Sequence, residues 1–155
     1  MSEQDNNDIK DINDVWYEYA LSFVGKKNES EQGWATLTSN EQEIAALWLL
    51  EVDVFNGGFI QFFCNWGEEA YRYALRALQT IGATQVIGIL TSAYGCIQHL
   101  EEDERLTELW DIPKFLTMEQ EQQLDILDQQ FWNNEDQIAE KAHHYYHGKL
   151  NIMTL

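Results

Sequence analysis

The chain has 155 residues, 45% of them hydrophobic and 13% aromatic, which is enough apolar material for a folded domain and too much for an acidic disordered tail. Its 27 acids against 9 bases leave a formal net charge of -18, so the surface repels nucleic acid and anionic membranes and attracts basic partners. Two cysteines, Cys64 and Cys96, sit among apolar residues with no C-x-x-C, which excludes a disulfide framework and fits a reducing cytoplasm. The N-terminus has no basic-then-apolar export signal, and the longest apolar run, 44–50, is far too short to span a membrane.

The first predicted element covers 8–24. Ile9, Ile12, Val15, Trp16, Tyr19, Ala20 and Phe23 recur at three- and four-residue steps, the stripe of an amphipathic helix that ends near Gly25. After a polar loop over 26–33, Thr38 or Ser39 can cap a second helix, with Glu41 or Gln42 completing a capping box. That helix is expected to stop at Phe55, before Asn56-Gly57.

The stretch VFNGGFIQFFCNWG, residues 54–67, places two glycines among aromatics. The glycines lack the Lys-Ser/Thr that a P-loop needs, so the stretch reads as a helix stop and chain reversal. In this reading Asn56 caps locally in a left-handed conformation, and a short helix over 59–66 turns Phe59, Phe62, Phe63 and Trp66 into the core.

A third long helix follows from Glu68 to Ile81, with Gly82 as its C-cap and Arg72 and Arg76 spaced to pair with the acids of its first turn. Residues 84–100 form another helix, weakened by Gly88 and Gly95, with small residues that permit close packing. A turn or two over 104–110 precedes Pro113, Thr117-x-x-Gln120 caps a helix through Gln130, and 134–149 forms the last. No strand-length alternation occurs, so the fold class is all-α, a single domain over 1–155 with acidic flanking helices at 8–24 and 101–149.

The charge is unevenly placed. Residues 1–53 hold 12 acids and 3 bases, residues 54–100 hold 2 and 2, and residues 101–155 hold 13 and 4. Asp8, Asp11, Asp14 and Glu18 step by three, three and four, a carboxylate row beside the apolar stripe of the first helix. Successive members of such a row rise about 4.5 to 6 Å along a helix axis, comparable with the roughly 3.4 Å phosphate spacing of one DNA strand. Glu101, Glu102, Asp103, Glu104, Glu108 and Asp111 form a second acidic group, and Glu119, Glu121, Asp125 and Asp128 a third. The plain alternative is a solvated face that only confers solubility.

Chemistry-bearing motifs are sparse. Glu140 and His143 spell E-x-x-H, and His144 and His147 lie nearby, but a di-iron bundle needs a second E-x-x-H and a zincin needs H-E-x-x-H. These four residues are the metal candidates, histidines near a helix C-terminus are the alternative, and no cofactor is expected. Nothing near either cysteine would lower its thiol pKa, and no nucleophile-elbow or dinucleotide motif occurs, so no enzyme activity is expected.

The run WLLEVDVFNGGFIQFFCNWG, followed by AYRYALRALQTIGA and LDILDQQFW, resembles a bacterial domain family of formerly unknown function. Its hallmark is a helix running into Asn-Gly-Gly-Phe, then Gln and paired aromatics, here Asn56, Gly57, Gly58, Phe59, Gln61, Phe62 and Phe63, with an LDxLD run at 124–128. The resemblance covers about 38–132, and one member of that family is a dimeric DNA mimic that occupies the DNA-binding face of a helix-turn-helix transcription factor. It implies a cytoplasmic homodimer that blocks a basic DNA-binding protein through its acidic rows, with Asp8, Asp11, Asp14 and Glu18 as first choice and the acids at 101–111 as second. The alternatives are a generic acidic interaction or immunity module and a metal-binding helical protein.

Overall fold

The computed structural model describes residues 12–150, and its α-helices and 3-10 turns, with no strand among the described residues, make the all-α class explicit. Helix α1 spans Ile12–Glu29 and a 3-10 turn Gly33–Thr36 leads to the long broken helix α2, Ser39–Ile81. Helix α3, Thr84–Ile97, runs on into a 3-10 turn Gln98–Leu100. A second 3-10 segment, Leu109–Phe115, precedes α4, Met118–Trp132, and α5, Ile138–Leu150. One hydrophobic core takes residues from all five helices, including Trp16, Leu50, Leu90, Phe131 and Tyr146. Asp8, Asp11 and the start of the expected 8–24 helix lie outside the described residues.

Locally encoded boundaries are where the sequence puts them. Thr38 accepts from the Glu41 N–H at 3.3 Å while the Glu41 carboxylate accepts from the Thr38 N–H at 2.9 Å, and Thr117 and Gln120 repeat the box at α4. Gly82 closes α2 with a φ of 76°. Helix α1, however, passes Gly25 and continues to Glu29. Its last turn is held by Lys27, whose ammonium lies 4.3 Å from the Trp66 ring and 5.0 Å from the Trp34 ring, contacts that offset the modest helix cost of one glycine. Gly88 and Gly95 face open space, whereas Ala93 on the same helix is fully buried. Pro113 lies inside a 3-10 segment anchored by buried Ile112, a segment with few internal hydrogen bonds for proline to remove.

The central motif breaks two residues later than expected. Helical backbone runs through Asn56 and Gly57 and stops at Gly58, with φ 82° and ψ 178°; 59–66 is helical again and Gly67, φ 70°, makes a second kink. Asn56 takes no left-handed conformation, contrary to expectation, since Gln137 holds the one positive φ outside glycine among the described residues. The break point is set from far along the chain. Asp128 of α4 accepts the Phe59 N–H at 2.8 Å, capping the 59–66 segment, and a Cβ on Gly58 would collide with that same carboxylate.

The polar residues of the motif form a second network around buried Asp53. Gln61 and Asn65 donate to its carboxylate at 3.0 and 3.2 Å, the Trp66 indole N–H donates at 2.8 Å, and Asn56 donates to Gln61 at 3.2 Å. Phe59, Phe62 and Phe63 are fully buried, as expected, whereas Trp66 is only half-buried at the edge of the core. Phe59 meets Phe131 edge-on at 5.6 Å, which ties the reversal to α4.

Among the described residues four acids are buried, and three are fully accounted for. Glu43 accepts from the Tyr146 hydroxyl and from Arg76 Nε, both at 2.7 Å, joining α2 to α5. Asp53 is the hub just described, and Asp136 accepts the Val86 N–H at 2.8 Å at the start of α3. Glu51 differs: its carboxylate has only loose partners, the Tyr17 hydroxyl at a long 3.4 Å and the Trp16 indole N–H. Burial pushes Glu51 up to about 7 and, with the Glu51 charge, pushes Tyr17 up to about 12.

Gly58→Ala is expected to cost about 3 kcal/mol in urea unfolding, from a backbone region closed to side chains and from displacement of the Asp128 cap. A loss below about 1 kcal/mol would mean that the reversal does not depend on this fit. Because Glu51 is raised above its unfolded value, its contribution is greatest at low pH and fades as pH climbs toward 7. Glu51→Gln has no charge to desolvate, so it should gain about 2 kcal/mol relative to the parent between about pH 5.5 and 8. Parallel urea curves at both pH values test this, and a pH-independent difference would contradict it.

Candidate functional site

The acids left outside the core are those that could meet a partner. Asp14 and Glu18 are exposed on α1, one helical turn apart. Glu101, Glu102, Glu104 and Glu108 are exposed in the irregular segment between α3 and the 109–115 turn, so they form a patch and not a helical row. Glu119, Glu121 and Asp125 are exposed on α4, whereas Asp128 turns inward onto Gly58 and Phe59. Helix α1 packs on α2, α5 and the 33–36 turn, while the 109–115 turn packs on α2, so different contacts position the two groups.

Two members of the second group already carry a cation. Arg105 grips Asp103 with its Nε and a terminal nitrogen, the latter at 2.6 Å, and these bonds hold the Asp103 carboxyl at about 2. Lys114 pairs with Asp111 at 2.8 Å and holds it below the usual carboxylate range, helped by the Thr107 hydroxyl. Glu101 moves the other way: partial burial raises it first and the Glu68 charge second, against the pull of Arg72. The charge of Glu68, from the electrically neutral middle third, is thus felt at Glu101, which no spacing rule in the sequence could reveal.

Every lysine and arginine whose side chain is described has a partner. Lys26 lies 3.4 Å from Glu41, Arg72 pairs with Glu68, Arg76 with Glu43, Arg105 with Asp103, Lys114 with Asp111, and Lys141 lies 3.4 Å from Asp136. The remaining one, Lys27, is buried against two indoles and donates to Asn28 at 2.7 Å. These cations are committed locally, so the field over the outward carboxylates stays negative.

The histidine cluster does not assemble as a coordination site. His143 is buried and its ring stacks on His147 at 5.6 Å, His144 and Glu140 face outward, and no three metal-ligating side chains gather among the described residues. Burial pushes both the Cys64 and Cys96 thiols up, the wrong direction for a nucleophile.

No curated protein and no solved structure matches the chain. A family model described as DMP19-like protein matches residues 35–149. The match takes in the Gly58 reversal, the Asp53 network, the Asp128 cap and the acidic patch at 101–111, and it leaves out α1 with Asp14 and Glu18. Spanning most of the chain and all of its central motif, it places this protein in the DMP19-like protein family.

Proposed function

We propose that this protein is a DNA mimic, a non-enzymatic cytoplasmic homodimer that covers the DNA-binding face of a basic protein, such as a helix-turn-helix transcription factor, and blocks its operator. The observation that carries the reading is the partition of charge. Bases are committed to local partners and buried acids hold the fold, while Asp14, Glu18, Glu101, Glu102, Glu104 and Glu108 point to solvent. Membership of the DMP19-like family supports it, as does the resemblance carried by the motif around Gly58. A surface that ordinarily neutralises phosphates would pair instead with these carboxylates, with rapid, salt-sensitive association.

The patch at 101–108, with Glu68 beside it, is the principal contact in this proposal, because it lies within the family match, and the α1 acids flank it. The dimer rests on the resemblance.

DNA-binding proteins captured from a bacterial lysate at low salt, then assayed for release from their operators, provide the test. Release should weaken at least about tenfold between roughly 50 and 300 mM salt. A Glu101→Lys, Glu102→Lys, Glu104→Lys triple variant should weaken it by about tenfold or more without altering the circular dichroism. Salt-insensitive capture, or release that survives the charge reversal, would contradict the proposal.

A further inference from the structure

Val52, Phe55 and Trp132 are large apolar side chains set in a stretch of surface that carries no exposed charge. Between Val52 and Gly57 the exposed residues of α2 are Val52, Phe55, Asn56 and Gly57, because Asp53, the one acid there, is buried. On α4 the exposed residues after Asp125 are Ile126, Gln129, Gln130 and Trp132, because Asp128 turns inward onto Gly58. The two stretches meet: the Trp132 indole N–H donates to the Val54 carbonyl at 3.1 Å, and Phe55 packs edge-on against buried Phe131 at 5.6 Å. Other exposed apolar residues are placed differently, Trp110 and Met118 standing next to Glu108 and Glu119 in the chain. The outer side of α3 is also uncharged, but it offers Thr91 and Ser92 in place of apolar groups.

A cleft of about 320 Å³ opens beside these residues, between α1, the middle of α2 and the junction of α4 and α5. Phe55, 56% exposed, and Trp132, 46% exposed, belong to its wall and also project from it. Knob and hole thus lie side by side on one surface, the arrangement that a two-fold interface needs, since one patch must serve both copies. Both rings are held by the contacts above, so little rotamer freedom is left to lose on association. The exposed acids at the edge are Glu140, in the lining, and Asp14, one turn before the lining residue Tyr17.

We propose that this face is where two copies of the chain meet, Phe55 and Trp132 of each seated against the cleft of the other. The proposal rests on the homodimer of the proposed function and assigns its surface. Charge selects the occupant. A basic partner gains most at the exposed carboxylates of 101–108 and of α1, and it finds no exposed carboxylate between Val52 and Gly57. A second copy brings a net charge of -18 and is repelled wherever both surfaces are acidic, so it gains most where neither contributes charge. Exposed aromatics on an uncharged patch are the usual anchors of such a contact. Asp14 and Glu140 at the rim meet their own kind across the two-fold, which gives dimerisation a salt dependence opposite in sign to that of partner capture.

Sedimentation equilibrium on the full chain, with circular dichroism to confirm folding, provides the test. A dimer is expected, its Kd tightening about threefold between roughly 50 and 300 mM salt as the rim acids are screened. Val52→Glu and Phe55→Glu, both at exposed positions, should each weaken it at least about tenfold. Met118→Glu, at an equally exposed apolar position outside the face, should leave it unchanged. The Glu101→Lys, Glu102→Lys, Glu104→Lys variant should also remain a dimer, so loss of operator release and loss of the dimer are separable. A dimer that survives both Val52→Glu and Phe55→Glu overturns the surface assignment and leaves the homodimer standing. A chain that stays monomeric at about 100 μM overturns both and gives the face to a different protein.

Discussion

The Asp128 carboxylate reaches across 69 residues of chain to accept the Phe59 N–H, and it occupies the space that a side chain on Gly58 would need. This contact ends one helical segment, starts the next and fixes α4 against both. Phe59 can then meet Phe131, and Phe63 and Tyr71 can pack with Tyr94 of α3. The buried Asp53 network ties together the two sides of the same reversal, so the Asn-Gly-Gly-Phe run is a piece of architecture and not a ligand loop.

The architecture explains how a chain with a net charge of -18 folds at all. Self-repulsion is limited because part of the charge is turned inward: Glu43, Asp128 and Asp136 each accept hydrogen bonds from distant segments, and Asp53 accepts from the residues that follow the Gly58 reversal. Replacing such a buried acceptor removes a tie between elements, whereas replacing an exposed acid such as Glu102 touches only the surface field. Under the proposed function, folding and partner attraction draw on different members of one acidic population. Glu51 belongs to neither group, being buried with only the Tyr17 hydroxyl and the Trp16 indole beside its carboxylate.

Signals that act within one helical turn were legible in the sequence. The boxes at Thr38 and Thr117, the Gly82 cap and the inward Phe59, Phe62 and Phe63 all follow from three- and four-residue spacing. What depended on another element was not. Gly58, rather than Asn56-Gly57, breaks the helix because of where α4 puts Asp128, an acid that spacing alone groups with exposed Glu121 and Asp125. Helix α1 outruns Gly25 because Trp34 and Trp66 receive Lys27. The E-x-x-H pattern placed Glu140 and His143 one turn apart, but packing buries His143 and leaves Glu140 outside. The acidic patch was readable as composition; the Glu68 charge felt at Glu101 and the pairing of Asp103 and Asp111 required the fold.

Mutual exclusion is the defining property of a DNA mimic, and competition measures it directly. The apparent Kd of this protein for a captured DNA-binding partner would be determined at a series of operator concentrations. Occupation of the partner's DNA-binding face predicts an apparent Kd that rises in proportion to operator concentration without limit. A plateau, meaning that protein, partner and DNA form one ternary complex, would contradict it.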